Sequence, residues 1–173
     1  MRNKFSLLVA VVMMFGFMAC KKSTSSAPVN PNPNITVNGT STDLLGLSKA
    51  FYVSKLNNDT IVIVNSSVND SSVINNISNV SNISSAANFL VLSVLSNNTV
   101  SQNTYSGSNV TSYFQVNNVK YKSLPQLSTT IRIDTVNNIF VSGSYSSTVV
   151  NLTNPLDVTN PVITGKFRAN VVR

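Results

Sequence analysis

Short apolar runs separated by turn-forming residues are the feature that most constrains how this chain can fold. From Ile35 onward, runs rich in Val, Ile, Phe and Tyr alternate with Asn, Ser, Gly and Asp at intervals of roughly 8 to 12 residues. β-Branched and aromatic side chains suit half-buried strands, and the intervening residues suit turns. The pattern predicts an all-β fold, a single antiparallel β-sandwich of about eight or nine strands. The predicted strands cover residues 34–38, 48–56, 60–65, 88–95, 112–116, 119–123, 128–135, 139–147 and 162–171.

Two segments allow more specific predictions. In "TTIRIDTVNNIFVSGSYSS", apolar and polar residues alternate from Ile131 to Thr135 and the alternation stops at Asn137-Asn138. Because Asn tolerates positive φ, this segment predicts a β-hairpin. In "NFLVLSVL" the apolar run from Phe89 to Leu92 is unbroken, which predicts a central strand covered on both faces.

The stretch "INNISNVSNISSA" has an apolar residue at every third position from Ile74 to Ala86. A strand has a period of two and an amphipathic helix a period of about 3.6, so this spacing fits neither. It lies in a long Asn/Ser-rich segment near residues 67–85. We expect an irregular loop there, with an extra edge strand or a short helical turn as alternatives.

The composition excludes most catalytic chemistry. The chain has no His and no Trp, none of its five acidic residues is Glu, and it has one Cys. General acid-base catalysis usually recruits His or a carboxylate of raised pKa, and zinc sites need several His or Cys ligands. No Ser has an evident base beside it in the sequence. We therefore expect a protein that is not an enzyme and that has no cofactor and no metal site.

The first 19 residues have the anatomy of an export signal. "MRNKFSLLVAVVMMFGFMACKK" begins with two cations, continues through an apolar run from Phe5 to Phe17, and ends at Ala19-Cys20. The run is shorter than the roughly 20 residues of a membrane span, and lysines follow it at once. Residues 1–19 are therefore predicted to be a signal peptide.

The single cysteine closes this leader. "FMAC" resembles the lipobox of bacterial lipoproteins, and the resemblance implies that Cys20 becomes lipidated after cleavage from Ala19. Three acyl chains would then hold the protein on a membrane. The alternative is a lone thiol at the end of an uncleaved helix. Residues 20–34, "CKKSTSSAPVNPNPN", are predicted to be a disordered tether because they have too few apolar residues to pack.

Two further resemblances concern the start of the tether and the predicted β-sandwich domain at residues 35–173. "CKK" followed by a Pro-containing spacer is similar to lipoproteins of the Bacteroidota, where outer-membrane residence is usual. "ITVNGT", "DTIVIVNSS", "NTYSG", the "IRIDTVNNIFVSGSYSS" hairpin and "VITGKFRANVV", in that order, resemble a family of uncharacterised Bacteroidota outer-membrane lipoproteins. The resemblance implies a small β-sandwich on a lipid anchor and no assigned activity. Positions 21–26 have no acidic residue, so the periplasmic and the cell-surface face both stay open.

The charge of the folded part is modest. The formal net charge is +7, but Arg2, Lys4, Lys21 and Lys22 lie in or beside the leader and leave +3 for the rest. The body has no cluster of Lys and Arg interleaved with aromatic residues, which is the usual signature of nucleic-acid binding. We expect no nucleic-acid partner.

Several side chains are candidate sites. Tyrosines are the only amphipathic aromatic residues, and two or three of them on one exposed face could bind a glycan, although without Trp and with few acidic residues nearby we expect packing in the core or on a strand surface instead. The candidates are Tyr52, Tyr105, Tyr113, Tyr121 and Tyr145. Asp59-Thr60-Ile61 and Asp134-Thr135-Val136 resemble the short sites at which Bacteroidota O-glycosylate exported proteins, which makes Thr60 and Thr135 candidates. "NND" at 57–59 and "NDS" at 69–71 offer oxygen ligands for calcium, but without the spacing of a known loop they are expected to be ordinary loops.

These observations lead to one hypothesis and two alternatives. The hypothesis is a lipid-anchored cell-envelope protein, a non-enzymatic binding or structural module whose partner is a glycan or an envelope protein. The first alternative is a glycan-binding accessory lipoprotein of a polysaccharide uptake system. The second is a hydrolase with an unrecognised site, against which the lack of His and Glu argues.

Overall fold

The computed structural model describes residues 32–55, 58–75 and 87–172. These residues form eleven strands, one short helix and a 3-10 turn at Gly107–Asn109. The helix is α1 (Ser72–Asn75). The strands are β1 (Asn34–Val37), β2 (Thr40–Asp43), β3 (Ser48–Lys55), β4 (Asn58–Ser66), β5 (Phe89–Ser96), β6 (Asn103–Ser106), β7 (Val110–Val116), β8 (Val119–Ser123), β9 (Thr129–Val136), β10 (Phe140–Asn151) and β11 (Val162–Val172).

The strands form one continuous sheet that closes on itself. Its order is β2-β1-β11-β3-β4-β5-β7-β8-β10-β9-β6, and β10 also pairs with β11. The extra pairing closes a ring through β11, β3, β4, β5, β7, β8 and β10. Residues of β1, β9, β10 and β11 meet residues of β4, β5 and β7 in one core, so the closed sheet resembles a sandwich with two facing layers that are joined at both margins.

The two longest strands make this closure because each changes partner along its length. β10 pairs with β9 over Val141–Ser147 and then with β8 over Val149–Asn151. β11 pairs with β1 at Ile163 and Thr164, and then with β3 over Asn170–Val172. Among the pairings of the described strands, only that of β3 with β11 is parallel.

The main core lies between the layers. Alternate residues of the strands point into it, as the burial pattern of β9 illustrates: Thr129, Ile131 and Ile133 are buried, whereas Arg132 and Asp134 are exposed. Each fully buried aliphatic or aromatic side chain stabilises the fold by about 1.5–3 kcal/mol. The largest such side chains are Phe89, Phe114, Phe167, Ile35, Leu44, Ile61, Ile63, Leu90, Leu92, Ile131, Ile133 and Ile163, of which Phe89 belongs to a second cluster.

The second apolar cluster covers the outer face of β4 and β5. Val64, Phe89 and Val91 form its centre, and Val68 and Ile74 of the following connection pack against it. Phe89 to Leu92 are all buried, with Leu90 and Leu92 in the main core. The prediction of a central strand covered on both faces is therefore confirmed.

The all-β prediction is confirmed, and each predicted strand has a counterpart in the structure. Eight or nine strands was too few, because β2 and β6 were missed. "TSTD" and "NTYS" are short and mostly exposed, so they have no apolar alternation for a pattern to detect. The fold also contains one parallel pairing, so "antiparallel" describes all but one of its strand pairs.

The hairpin predicted around Asn137-Asn138 is formed by β9 and β10. Its turn is not stabilised by positive φ at asparagine, as the sequence suggested. Neither Asn is among the residues with positive φ. Instead, the Asn137 side-chain oxygen accepts hydrogen bonds from the backbone N–H groups of Ile139 and Phe140, at 2.8 and 2.9 Å. Positive φ occurs at Asn117 and Asn118 in the β7–β8 turn, at 49° and 68°.

Several predictions concern residues outside the described part. The signal peptide at 1–19, Cys20 and nearly all of the tether at 20–34 lie there, as do residues 76–86 of the segment near 67–85. The described start of that segment contains the short helical turn α1. Within 32–55, 58–75 and 87–172, no helix has the length and apolar character needed to cross a bilayer.

Candidate functional site

A cleft of about 470 Å³ opens at one end of the sandwich, and we call it the end cleft. It lies where the β3–β4 hairpin, the β5–β6 connection, the β9–β10 turn and the end of β11 meet. Its volume falls in the range of sites for small molecules. The polar lining residues are Tyr52, Asp59, Thr99, Asn137 and Asn138, and the apolar ones are Val100, Val136, Val171 and Val172.

The β3–β4 hairpin supplies the ring and the carboxylate of the end cleft. Tyr52 pairs with Ile61, and Asp59 lies two residues before Ile61 on the same strand, so both side chains share one face of the sheet. Burial, the negative charge of Asp59 and, least, Tyr105 raise the pKa of Tyr52 above its usual value of 10.0. The Tyr52 hydroxyl is therefore neutral at physiological pH and is available as a hydrogen-bond donor.

Tyr105 on β6 holds another wall of the end cleft in place. Its hydroxyl donates to the carbonyl oxygen of Ser101 at 3.0 Å and accepts from the Ser101 N–H at 2.9 Å. This pair of bonds fixes the connection that carries Thr99 and the buried Val100. Tyr105 therefore has a positioning role beside the end cleft, close enough to Tyr52 to affect its pKa.

The β9–β10 turn contributes two amides at the rim. Asn137 uses its side-chain oxygen to hold the turn. Asn138 follows it with an exposed side chain. Neither was predicted to be a site residue, because Asn-Asn between two strands was interpreted as a turn signal alone.

The five tyrosines that the sequence offers as candidates for a ligand face lie in different parts of the structure. Tyr145 is 4% exposed; its hydroxyl donates to the carbonyl oxygen of Asn34 at 2.8 Å, and its ring stacks on Phe114 with a centroid distance of 5.4 Å. Burial raises its pKa strongly. Tyr145 is a core residue because it lies on the inward face of β10.

The other tyrosines fall into three places. Tyr113 stacks on Phe89 at 6.0 Å in the outer cluster, and burial raises its pKa. Tyr121 is half-buried against the main core, and burial and the charge of Asp157 raise its pKa. Of the five, Tyr52 lines the end cleft and Tyr105 lies beside it.

The two candidate glycosylation sites lie within paired strands. Thr60 pairs with Val53 and Leu95 in the middle of the β3-β4-β5 layer. Thr135 pairs with Ser142, where the β9–β10 register shifts. Both are half-buried.

The candidate calcium ligands do not converge. Asn58 and Asp59 begin β4, whereas Asn69, Asp70 and Ser71 precede α1. Asn57 lies outside the described residues. In the described ranges, no three His, Cys, Asp or Glu residues approach one another closely enough to hold a metal ion.

The end cleft combines hydrogen-bonding groups with a tyrosine ring. Asp59 contributes a carboxylate to its described lining, and Asn137 and Asn138 contribute amides. A carboxylate and amide oxygens accept hydrogen bonds from hydroxyls, and a tyrosine ring provides an apolar platform. No protein-family model, curated protein or solved structure matches this chain.

Proposed function

We propose that this protein is a lipid-anchored, non-enzymatic binding module of the cell envelope, and that the end cleft is its ligand site. One observation carries the proposal: Tyr52, Asp59, Asn137 and Asn138 line one cleft together with four valines. A pocket that combines an apolar floor with a few polar groups is the usual form of a small-molecule site.

The cell-envelope part of the proposal rests on the leader. The export signal at 1–19 and the lipobox-like "FMAC" support lipidation at Cys20, and the wider resemblance supports the outer membrane. Residues 20–33 would separate the membrane from the folded domain by up to about 46 Å if they were extended.

Glycan binding is the second candidate, and the lining of the end cleft favours it. Sugars present hydroxyls to carboxylate and amide oxygens and an apolar ring face to an aromatic side chain. Tyr52, Asp59 and Asn138 provide these groups within one cleft. An accessory role in polysaccharide uptake would fit these properties.

A glycan array probed with the mature lipoprotein in detergent micelles tests the ligand. We expect binding to neutral glycans, weakened at least about tenfold by Asp59→Asn, because a hydrogen bond to a charged group contributes about 1.5–3 kcal/mol. Tyr113→Phe is the matched control, since Tyr113 lies in the outer cluster. Equal losses in both variants, or no bound glycan, would remove glycan binding.

Fatty-acid labelling tests the anchor independently. Cells fed a labelled palmitate should incorporate it into the wild-type protein and not into the Cys20→Ala variant, which should also leave the membrane fraction. Retention of the label in the variant would show that another residue is acylated. An unlabelled wild-type protein would refute the lipid anchor.

A further inference from the structure

The connection between β10 and β11, residues 152–161, presents aliphatic side chains to solvent. We call residues 152–162 the apolar loop, which includes Val162 at the start of β11. Leu156 is 88% exposed and Val158 is 83% exposed, with Leu152 and Val162 at 43% and 52% on either side. A single exposed aliphatic residue is ordinary on a protein surface. Several on one connection form the kind of exposed apolar feature that marks an interaction site.

The polar side chains of the apolar loop bond to the loop itself. The Asn151 side-chain oxygen accepts from the N–H groups of Thr153 and Asn154, at 2.9 and 3.0 Å. Asp157 accepts from the N–H and hydroxyl of Thr159, at 3.1 and 2.6 Å, and from the Asn151 amide at 3.2 Å. These bonds are internal to this part of the chain, while Thr153, Asn154 and Thr159 are themselves exposed, and Leu156 and Val158 extend into solvent beside them.

The apolar loop is also bonded to the sheet. The Leu152 N–H donates to the carbonyl oxygen of Lys120 at 2.8 Å, and the Lys120 N–H donates to the Thr153 hydroxyl at 2.9 Å. At the other end, the Val149 N–H donates to the carbonyl oxygen of Pro161 at 3.1 Å. The exposure of Leu156 and Val158 is therefore imposed by a well-bonded backbone.

We propose that the apolar loop docks on the surface of a lipid bilayer. Lys122 is exposed on β8, the strand to which the loop is bonded, and supplies a cation for anionic headgroups. Aliphatic side chains beside lysines are typical of surfaces that insert into the headgroup region. Protein interfaces are instead enriched in Trp, Tyr and Arg, with Lys, Leu and Val under-represented at their centres. The chemistry therefore favours lipid over a protein partner.

The docking rests on the proposed lipid anchor at Cys20. A few aliphatic side chains give only weak, reversible membrane binding, but an anchor in the same bilayer makes the second contact intramolecular. The geometry allows both contacts. β1 starts beside Lys166, four residues or about 13 Å along β11 from Val162, and residues 20–33 would reach up to about 46 Å.

Docking through the apolar loop would orient the end cleft. Val162 begins β11 at the apolar loop, and Val171 and Val172 line the end cleft at the opposite end of that strand. With the loop on the bilayer, the cleft opens away from the membrane.

A fluorophore at the loop tip tests the proposal in the mature lipoprotein, reconstituted into vesicles of phosphatidylethanolamine and phosphatidylglycerol. Leu156→Cys carries an environment-sensitive probe, and Leu45→Cys, on the β2–β3 connection and 66% exposed, is the matched control. The thioether-linked Cys20 would not react. We expect a blue-shifted emission at Leu156 and quenching by lipid-borne quenchers at least about twofold stronger than at Leu45. Replacing phosphatidylglycerol with phosphatidylcholine should reduce the difference.

The outcomes separate the two proposals. Equal, water-like signals at both positions in protein that sediments with the vesicles would refute docking and leave the anchor intact. A blue shift at Leu156 without quenching by lipid would show contact with protein, including a second copy, and would also refute docking on lipid. Protein that does not sediment with the vesicles would refute the anchor and, with it, the docking.

Discussion

The end cleft and the apolar loop lie at opposite ends of the sandwich and are built with the same local device. At each end an Asn side-chain oxygen accepts two backbone N–H groups, those of Ile139 and Phe140 for Asn137, and those of Thr153 and Asn154 for Asn151. At the cleft, polar groups surround a concave surface. At the loop, Leu156 and Val158 extend into solvent among polar residues. The direction of the remaining side chains, and not the turn chemistry, therefore decides what each end can bind.

Phe114→Ala should have the largest effect and should affect both ends alike. Phe114 is fully buried and stacks on Tyr145, so its loss leaves a cavity and lowers the free energy of unfolding by about 3–5 kcal/mol. Urea unfolding, monitored with spectroscopic probes at Asn138 and Leu156, measures this loss of stability. The two probes should report one midpoint; separate transitions would mean that the ends are not parts of one cooperative unit.

Asn151→Ala should disturb the apolar loop alone. The substitution removes two hydrogen bonds accepted from the backbone and one donated to Asp157, and should lower the free energy of unfolding by about 1–3 kcal/mol. Amide hydrogen exchange should accelerate within 152–159. Faster exchange at Asn138 as well would argue that the ends are coupled.

Asn137→Ala is the matched change at the end cleft. It removes two accepted hydrogen bonds and should lower the free energy of unfolding by about 1–2 kcal/mol. Ligand binding at the cleft should weaken, and lipid quenching of the probe at Leu156 should stay as in the wild type. A change in that quenching would contradict the independence of the two ends.

Acid should loosen the apolar loop. Hydrogen bonds from Thr159 and Asn151 lower the pKa of Asp157 below its usual value of 3.8. Its ionised form therefore adds stability above pH 3.8, and this is lost as the pH falls through the lower, folded-state pKa. Hydrogen exchange at Thr159 should accelerate in that range. Asp157→Asn should remove this pH dependence, and its persistence would mean that another group titrates.

Alkali should act on the end cleft. The pKa of Tyr52 lies above 10.0, because of burial first and the charge of Asp59 second. The neutral form therefore adds stability below pH 10, and this is lost as the pH rises through the raised pKa. We expect a small effect because Tyr52 is half-exposed. Amide hydrogen exchange at residues flanking the cleft, compared between the wild type and Tyr52→Phe, measures this loss of stability. If exchange in the variant responds to alkali as in the wild type, Tyr52 is not the source of the effect.

Sequence analysis predicted the strands that have a clear apolar pattern, and it missed the polar edge strands and the parallel pairing. Nine strands were placed from short apolar runs between turn residues, most of them alternating with the period of a pleated sheet and β5 unbroken. β2 and β6 are polar edge strands, visible only through their partners β1 and β9. The parallel pairing of β3 with β11 joins segments too far apart in the sequence for any local pattern to specify.

The residues of the candidate site were also predicted only in part, because they were selected by residue type. Tyr52 and Tyr105 were selected because tyrosine suits a ligand face. Tyr145 was selected by the same criterion, although it lies in the core. Its alternation with Val141 along β10 places both on one face, and this signal could have separated it. Leu156 and Val158 have no periodic pattern, so their exposure depends on the bonded loop around them.

The ring closure described above has a consequence for how the chain reaches its fold. Ser48 and Arg168, which meet where β3 joins β11, are 120 residues apart. Such distant contacts make folding slow, because the entropy of closing a long loop is lost before the contact forms. A chain that emerges from its amino end therefore carries β1 and β3 as open strand edges until β11 arrives. During that interval the edges are exposed to pairing with other chains, so the rate of folding governs how much protein aggregates.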